Sequence, residues 1–388
     1  MTMLDRAHEI QDQLVSWRRE IHQHPELGFR ELKTAARVAG VLESLGYQVQ
    51  TQIGLTGVVG ERGHGNPIIA LRFDMDALPI QEENGVPYAS QVAGTMHACG
   101  HDAHTSIGLG VATLLAEESF RGRIRLIFQP AEEIEDEEGY SGADRMLEDG
   151  VMEGVEGVIA LHVDEKLPVG DIALQVGANS AGVDTFFASV IGRGGHAASP
   201  HDVVDPIYIT GHILLAIQGI ISRKLNPFVP SVISVGSIHG GKADNIIPDR
   251  VELSGTIRFM DQKVKEQIHE ELERAFTIAR TMGGDYSLKI VEGCPPMMNN
   301  AGIIEALREV GEEILGEEHL QRPEPCMGAE DFAVFCNVTS GAMFGLGCRL
   351  EGDQRQAHNP RFDIDERCLP IGAAMLAETA RRLLEGGS

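Results

Sequence analysis

Apolar residues recur near the start of the chain at the spacing of one helical face. Leu4, Ala7, Ile10, Leu14, Trp17 and Ile21 share that face across residues 4–22, and the HPELGF break at 24–29 ends it. A second helix is predicted over 31–45. The mostly apolar run PIIALRF (67–73) reads as a buried strand. The pattern then repeats, with a helix over 103–118, strand RIRLIFQ at 123–129, a helix over 141–149 and strand VEGVIALHV at 155–163. Strands alternating with helices predict an α/β fold with a mainly parallel sheet covered by helices on both faces.

Between about 182 and 293 the rhythm changes. Strand 184–192, helix 204–222, strands 231–239 and 250–259, helix 261–281 and strand 285–292 follow in the order β-α-β-β-α-β, a ferredoxin-like pattern. Helix 301–315, a short helix over 329–336, strand 341–347 and helix 365–385 then return to the α/β style. The expected organisation is a catalytic domain in two parts, 1–181 and 294–388. A smaller ferredoxin-like α+β domain, 182–293, interrupts it. Hinges are expected near 180–183 and 292–296.

Length supports this division, because 388 residues are too many for one ordinary core. The net charge of −26 would repel phosphate backbones, so no nucleic-acid partner is expected. It does not exclude an acidic substrate, since a cation can dominate one cleft. No run approaches the length that spans a bilayer, and the start, MTMLDRAHEIQDQL, lacks a basic stretch followed by an apolar one, so neither membrane nor signal peptide is expected. Six cysteines are scattered without CxxC spacing, which points to reduced thiols and a cytoplasmic location.

The candidate chemistry gathers at strand ends and the loops after them. MHACGHDAH (96–104) sets Cys99 and His101 two residues apart just before a helix, a thiolate–imidazole pair suited to zinc or another borderline metal. Taken alone, it equally fits a polar loop around a buried thiol. QPAEE (129–133) follows a predicted buried strand and ends in Glu132 and Glu133. On an extended chain these point oppositely, so one could bind metal while the other activates water. LHV (161–163) places His162 at a third strand end, and AHNPRFD (357–363) offers His358 in a loop. Each segment has a structural explanation of its own, and their convergence is what favours a metal site.

HACGHDAH, QPAEE, LHV, GRGGHAASP, GAEDF and HNPRFDIDE, in that order, closely resemble the zinc-dependent aminoacylase and carboxypeptidase superfamily. The nearest branch holds hippurate hydrolases, bacterial N-acyl-amino-acid amidohydrolases and plant auxin-conjugate hydrolases. The resemblance spans nearly the whole chain. It implies that Cys99, His101, Glu133, His162 and His358 ligate two divalent ions, zinc first, with manganese, cobalt or nickel as alternatives. It implies that Glu132 is the general base and that Asp74 orients a ligand histidine from behind. Asp76 is expected only to support the local turn. His196 resembles a histidine that enters the partner subunit's site and steadies the oxyanion, which implies a homodimer or higher oligomer through the inserted domain. Asn245 and Arg258 resemble the residues that hold a substrate carboxylate. His97, His104, His201 and His239 are read as structural residues or as supports behind the ligands.

The implied function is metal-dependent hydrolysis of small N-acyl amino acids. The alternatives are a dipeptidase or aminopeptidase of the same superfamily and a non-catalytic metal-binding relative. Two segments depart from the branch's pattern and blur the substrate: the long acidic stretch after QPAEE, and HVDEKLPVG after His162.

Overall fold

The computed structural model describes residues 1–323, 326–352 and 355–386. The chain divides into two compact units: one of Met1–Asn179, Met298–Glu324 and Asp331–Ser388, the other of Ser180–Met297 and Pro325–Glu330. The second unit therefore also takes residues from the later part of the chain, which the sequence reading left with the catalytic domain. The reason is backbone pairing, since Ala181 N–H donates to the carbonyls of Cys326 and Gly328.

In the first unit eight strands lie side by side. Their order is Gln48–Ile53, Gly57–His64, Gly122–Gln129, Ile68–Asp74, Gly157–Pro168, Ser340–Arg349, Ile172–Ala173 and Leu320–Gln321. The central pairs are parallel, as the alternating pattern predicts. The first two strands were not anticipated and are antiparallel additions at one edge. Gln48–Ile53 is mostly exposed and polar, which hides it from a search for apolar runs.

Helix His101–Ala116 is buried along almost its whole length. It packs beside Gln11–Gln23 and Leu369–Glu385, and an all-round buried helix needs small residues where it meets large ones. Gly108 meets that need, because a Cβ there would lie 2.7 Å from the Phe73 ring. The helix expected over 4–22 is two, Met3–Glu9 and Gln11–Gln23, separated at Ile10.

The second unit is a four-stranded antiparallel sheet, ordered Ser231–Gly240, Arg250–Phe259, Gly182–Ile191, Asp285–Glu292. Helices Pro206–Arg223 and Gln262–Phe276 supply its core with Ile213, Ile217, Ile268 and Leu272, opposite Phe186, Val190, Leu253 and Ile257. Asp205 and Asp261 cap these helices by accepting two backbone N–H groups each. This is the ferredoxin-like order read from the sequence. Among the described residues no helix is long and apolar enough to cross a membrane.

Candidate metal centre

Parallel register brings the site together in the first unit. Asp74 pairs with Gln129, and Arg72 with Ala160. Two steps beyond Arg72 and Ala160 lie Asp74 and His162, so both residues and the turn after Gln129 share one carboxyl edge of the sheet. His162 was expected at a strand end and instead lies within its strand. Its strand continues to Pro168 because Ser340–Arg349 still pairs with it there, Gly345 opposite His162.

The chain does not stay extended through QPAEE. It turns at Ala131, whose φ is +44°. The buried carboxylate of Glu31 accepts the Ala131 N–H at 2.9 Å and the Phe29 N–H at 3.1 Å, while the Thr56 hydroxyl donates to it at 2.5 Å. Burial pushes the Glu31 pKa up to about 7. The turn corrects the expectation that Glu132 and Glu133 point apart, since both offer oxygens to one group with His101, ligand atoms within 4.8 Å.

Cys99 and His101 are joined by Gly100, whose φ of +97° suits a residue without Cβ. A Cβ there would sit 2.3 Å from Val163 Cγ2. The helix begins at His101, two residues earlier than predicted, so this imidazole lies in the first turn. His101 Nδ1 lies 3.0 Å from the Asp76 carbonyl oxygen and 3.1 Å from its carboxylate. Oxygens of that kind only accept, so Nδ1 carries the hydrogen and Nε2 turns its lone pair elsewhere. Nε2 is buried and makes no hydrogen bond among the described residues. His162 repeats the device, with Nδ1 donating to the Val163 carbonyl at 2.8 Å and Nε2 lying 3.5 Å from Cys99 Sγ. His358, at φ +63°, is held by its own N–H on the Ala98 carbonyl, and its Nε2 lies 3.1 Å from Glu133.

Cys99, His101 and His162 form one ligand-grade group, and Cys99, Glu133 and His358 another. Two imidazole nitrogens turned inward by their backbone partners, a buried thiol and carboxylates fit a borderline divalent ion. The electrostatics agree. Burial opposes it, yet Asp74 and Asp76 hold the His101 pKa well above the ordinary value. The Glu133 carboxylate, hydrogen-bonded to His358, raises the pKa of that ring. Burial holds the Cys99 thiol well up, where a bound cation would draw it down.

The orienting contact expected from Asp74 comes instead from Asp76, because Asp76 is the carboxylate that reaches His101 Nδ1. Asp76 also accepts the Glu133 N–H at 3.0 Å. Asp74 takes His104 Nδ1 at 2.6 Å and Arg72 at 2.6 Å, and lies 3.7 Å from His101 Nε2. His104 Nε2 accepts the Val163 N–H, so it braces the strand carrying His162, and burial lowers its pKa to about 4. The sequence reading missed Asp76 and Glu31. For Asp76 the signal was there: it is two residues beyond Asp74, leaving the same strand.

Among the described residues, His97 is buried with neither ring nitrogen hydrogen-bonded, whereas His201 is exposed with its Nε2 3.6 Å from Asp202. His239 lies on the sheet of the second unit. His196, Asn245 and Arg258 also belong to that unit. His196 pairs with Ile246, and the Ala197 N–H donates to the Asn245 carbonyl, so the first two are neighbours. Arg258 lies mid-sheet, opposite Val232 and Val183.

Residues 70–382 match the model of peptidase family M20/M25/M40. The chain belongs to that family. As a member of it, the chain is a metal-dependent amidohydrolase, and its resemblance to the aminoacylase and carboxypeptidase superfamily holds. Thermostable carboxypeptidase 2 of Saccharolobus solfataricus is 40% identical over 374 residues, covering 94% of each chain. N-acetyl-L-cysteine deacetylase of Bacillus subtilis is 38% identical over 384 residues, covering 97% of this chain and 89% of the relative. The solved Bacillus subtilis YXEP protein, described as a dinuclear metal binding peptidase from the M20 family, superposes with a TM-score of 0.85 at 32% identity, covering 97% of this chain and 99% of that one.

Proposed function

We propose that this M20/M25/M40 family member hydrolyses the amide bond of small N-acyl amino acids, releasing a carboxylic acid and a free amino acid. The observation that carries the reading is the convergence of Cys99, His101, His162, Glu132, Glu133 and His358 on one edge of the first unit's sheet. Cys99, His101, Glu133, His162 and His358 would hold two divalent ions, with zinc favoured by the thiolate and imidazole donors over manganese, cobalt or nickel. A dinuclear relative and a deacetylase of an N-acyl amino acid are in keeping with this.

Bound ions would supply a water of lowered pKa and a polarised carbonyl. Glu132, whose carboxylate lies 4.0 Å from His101 Nε2, takes the proton of the attacking water. As the C–N bond breaks, Glu132 passes that proton to the leaving nitrogen. Asp76 and the Val163 carbonyl keep His101 and His162 in the tautomers that bind, and Asp74 braces the site through His104.

In the inserted unit, the Ala198 N–H donates to His196 Nδ1 at 3.0 Å. The neutral ring therefore carries its hydrogen on Nε2, and the side chain is exposed. That leaves a donor of the kind an oxyanion needs, and we assign it to a neighbouring subunit's site within a homodimer. Asn245 and Arg258 hold the substrate carboxylate. Arg258 has no ion-pair partner among the described residues, which suits a guanidinium kept for a ligand. We assign the chain to the cytoplasm on the scattered cysteine positions, which lack CxxC spacing.

The test is a hydrolysis screen of N-acetyl and N-benzoyl amino acids against free dipeptides. It is run after chelation with each divalent metal restored in turn. Preference for the N-acyl substrates is expected, and preference for free dipeptides would replace this reading with the dipeptidase one. Inactivity on every amide with metal bound would favour a non-catalytic relative. Sedimentation of a fully active monomer would remove the role given to His196.

A further inference from the structure

Five ligand side chains must be brought into register, and four of them stand on sheet, helix or a braced turn. His358 does not. It lies outside any helix or strand, its residue is in the left-handed region, and its side chain is half exposed. Apart from Glu133, its anchor among the described residues is one backbone hydrogen bond to the Ala98 carbonyl. An ion held by such a residue loses affinity unless the loop is fixed elsewhere.

Arg18 stands where that fixing is done. It projects from helix Gln11–Gln23 and is fully buried. Its Nε donates to Asp102 at 2.8 Å, the residue directly after His101. Its Nη2 donates to Asp363 at 2.8 Å, on the segment that follows His358, and its Nη1 to Glu366 at 3.1 Å. One planar fork thus joins the helix start that carries one ligand to the loop that carries another. Both carboxylates are further fixed. The His22 ring meets Asp102 at 2.8 Å, and the Tyr88 hydroxyl donates to Asp363 at 2.9 Å with its ring 5.0 Å from the Arg18 guanidinium carbon. The loop itself is pinned between these points. The Pro360 carbonyl accepts the Glu83 N–H, the Phe362 carbonyl accepts from Asn84, and the Phe362 side chain is buried.

We infer that Arg18 is a positioning residue that registers the His358 loop against the His101 helix and so sets the affinity of the ion that His358 helps to hold. A lysine cannot replace it, because three carboxylates are met by three nitrogens of one rigid plane. The inference rests on the reading of His358 as a ligand.

The test is a double-mutant cycle on the full chain. Zn²⁺ binding is titrated against a chromophoric chelator for the wild type, Arg18→Lys, His358→Ala and the double variant. Arg18→Lys is expected to weaken one Zn²⁺ roughly ten- to a hundred-fold and spare the other. In the His358→Ala background the same change is expected to cost almost nothing, because Arg18 acts through that side chain. An equal loss in both backgrounds, or an equal loss at both ions, would show Arg18 to be structural and overturn the inference. If His358→Ala alone leaves Zn²⁺ binding unchanged, the ligand reading falls, and the inference with it. Should Arg18→Lys fail to fold, Tyr88→Phe, which removes a single hydrogen bond to Asp363, takes its arm of the cycle with the same criteria.

Discussion

At the scale of single residues, Glu132 and Glu133 differ by what each touches. Glu133 meets His358, and its N–H is tied to Asp76. Glu132 instead turns to the ring of the helix-borne ligand, its carboxylate 4.0 Å from His101 Nε2. Glu132→Ala is therefore expected to keep fold and bound metal while lowering kcat by roughly a hundred- to ten-thousand-fold. Circular dichroism, metal analysis and single-turnover rates check this, and near-normal turnover would remove Glu132 from the mechanism. Proton linkage gives a second expectation. His101 and His358 have raised pKa values, and the Cys99 thiol is held up by burial, so metal must displace protons to bind. Affinity should rise with pH through the range where these groups lose their protons. Calorimetric titrations in buffers of different ionisation enthalpy should show net proton release. Affinity independent of pH between about 6 and 8, where protonated imidazole should still compete with metal, would count against these groups as ligands.

At the scale of elements, the turn from Met96 into helix His101–Ala116 carries two ligands and tolerates little change. Gly100 has φ +97° and no room for a Cβ beside Val163, the residue that follows ligand His162. Gly100→Ala must strain the turn or push the neighbouring strand. A loss of about 2 kcal/mol or more is expected in metal-free protein, with weaker metal binding as well. Urea melts and chelator competition measure the two effects. An alanine variant with wild-type stability and metal affinity would show that the turn relaxes freely.

At the scale of the whole molecule, every proposed ligand belongs to the first unit, although Cys99 and His358 are far apart in the sequence. Metal binding should therefore stabilise that unit selectively. A site at a hundred times its dissociation constant contributes about 2.7 kcal/mol. Chelation is expected to lower the first unit's calorimetric transition by several degrees and to leave the inserted unit's transition in place. A uniform shift of both, or none, would argue against a cage confined to the first unit.

The alternation of apolar strands and helices, and its interruption near 182, already determined an α/β unit split by a ferredoxin-like one, because burial periodicity is local and repeats over many residues. The residue types at the site were legible too, since a thiol, imidazoles and paired carboxylates beside buried strands stand out from their surroundings. Only tertiary structure decided how they are used. Asp76, not Asp74, sets His101, because the strand ends at Asp74 and the chain leaving it carries Asp76 under that ring. Glu132 and Glu133 face one group because Glu31, 100 residues before Ala131 in the chain, holds the turn there. The polar edge strand Gln48–Ile53 escaped notice because its order comes from pairing with Gly57–His64 and not from burying its own side chains. Orientation depends on partners that are distant along the chain, and no local pattern encodes them.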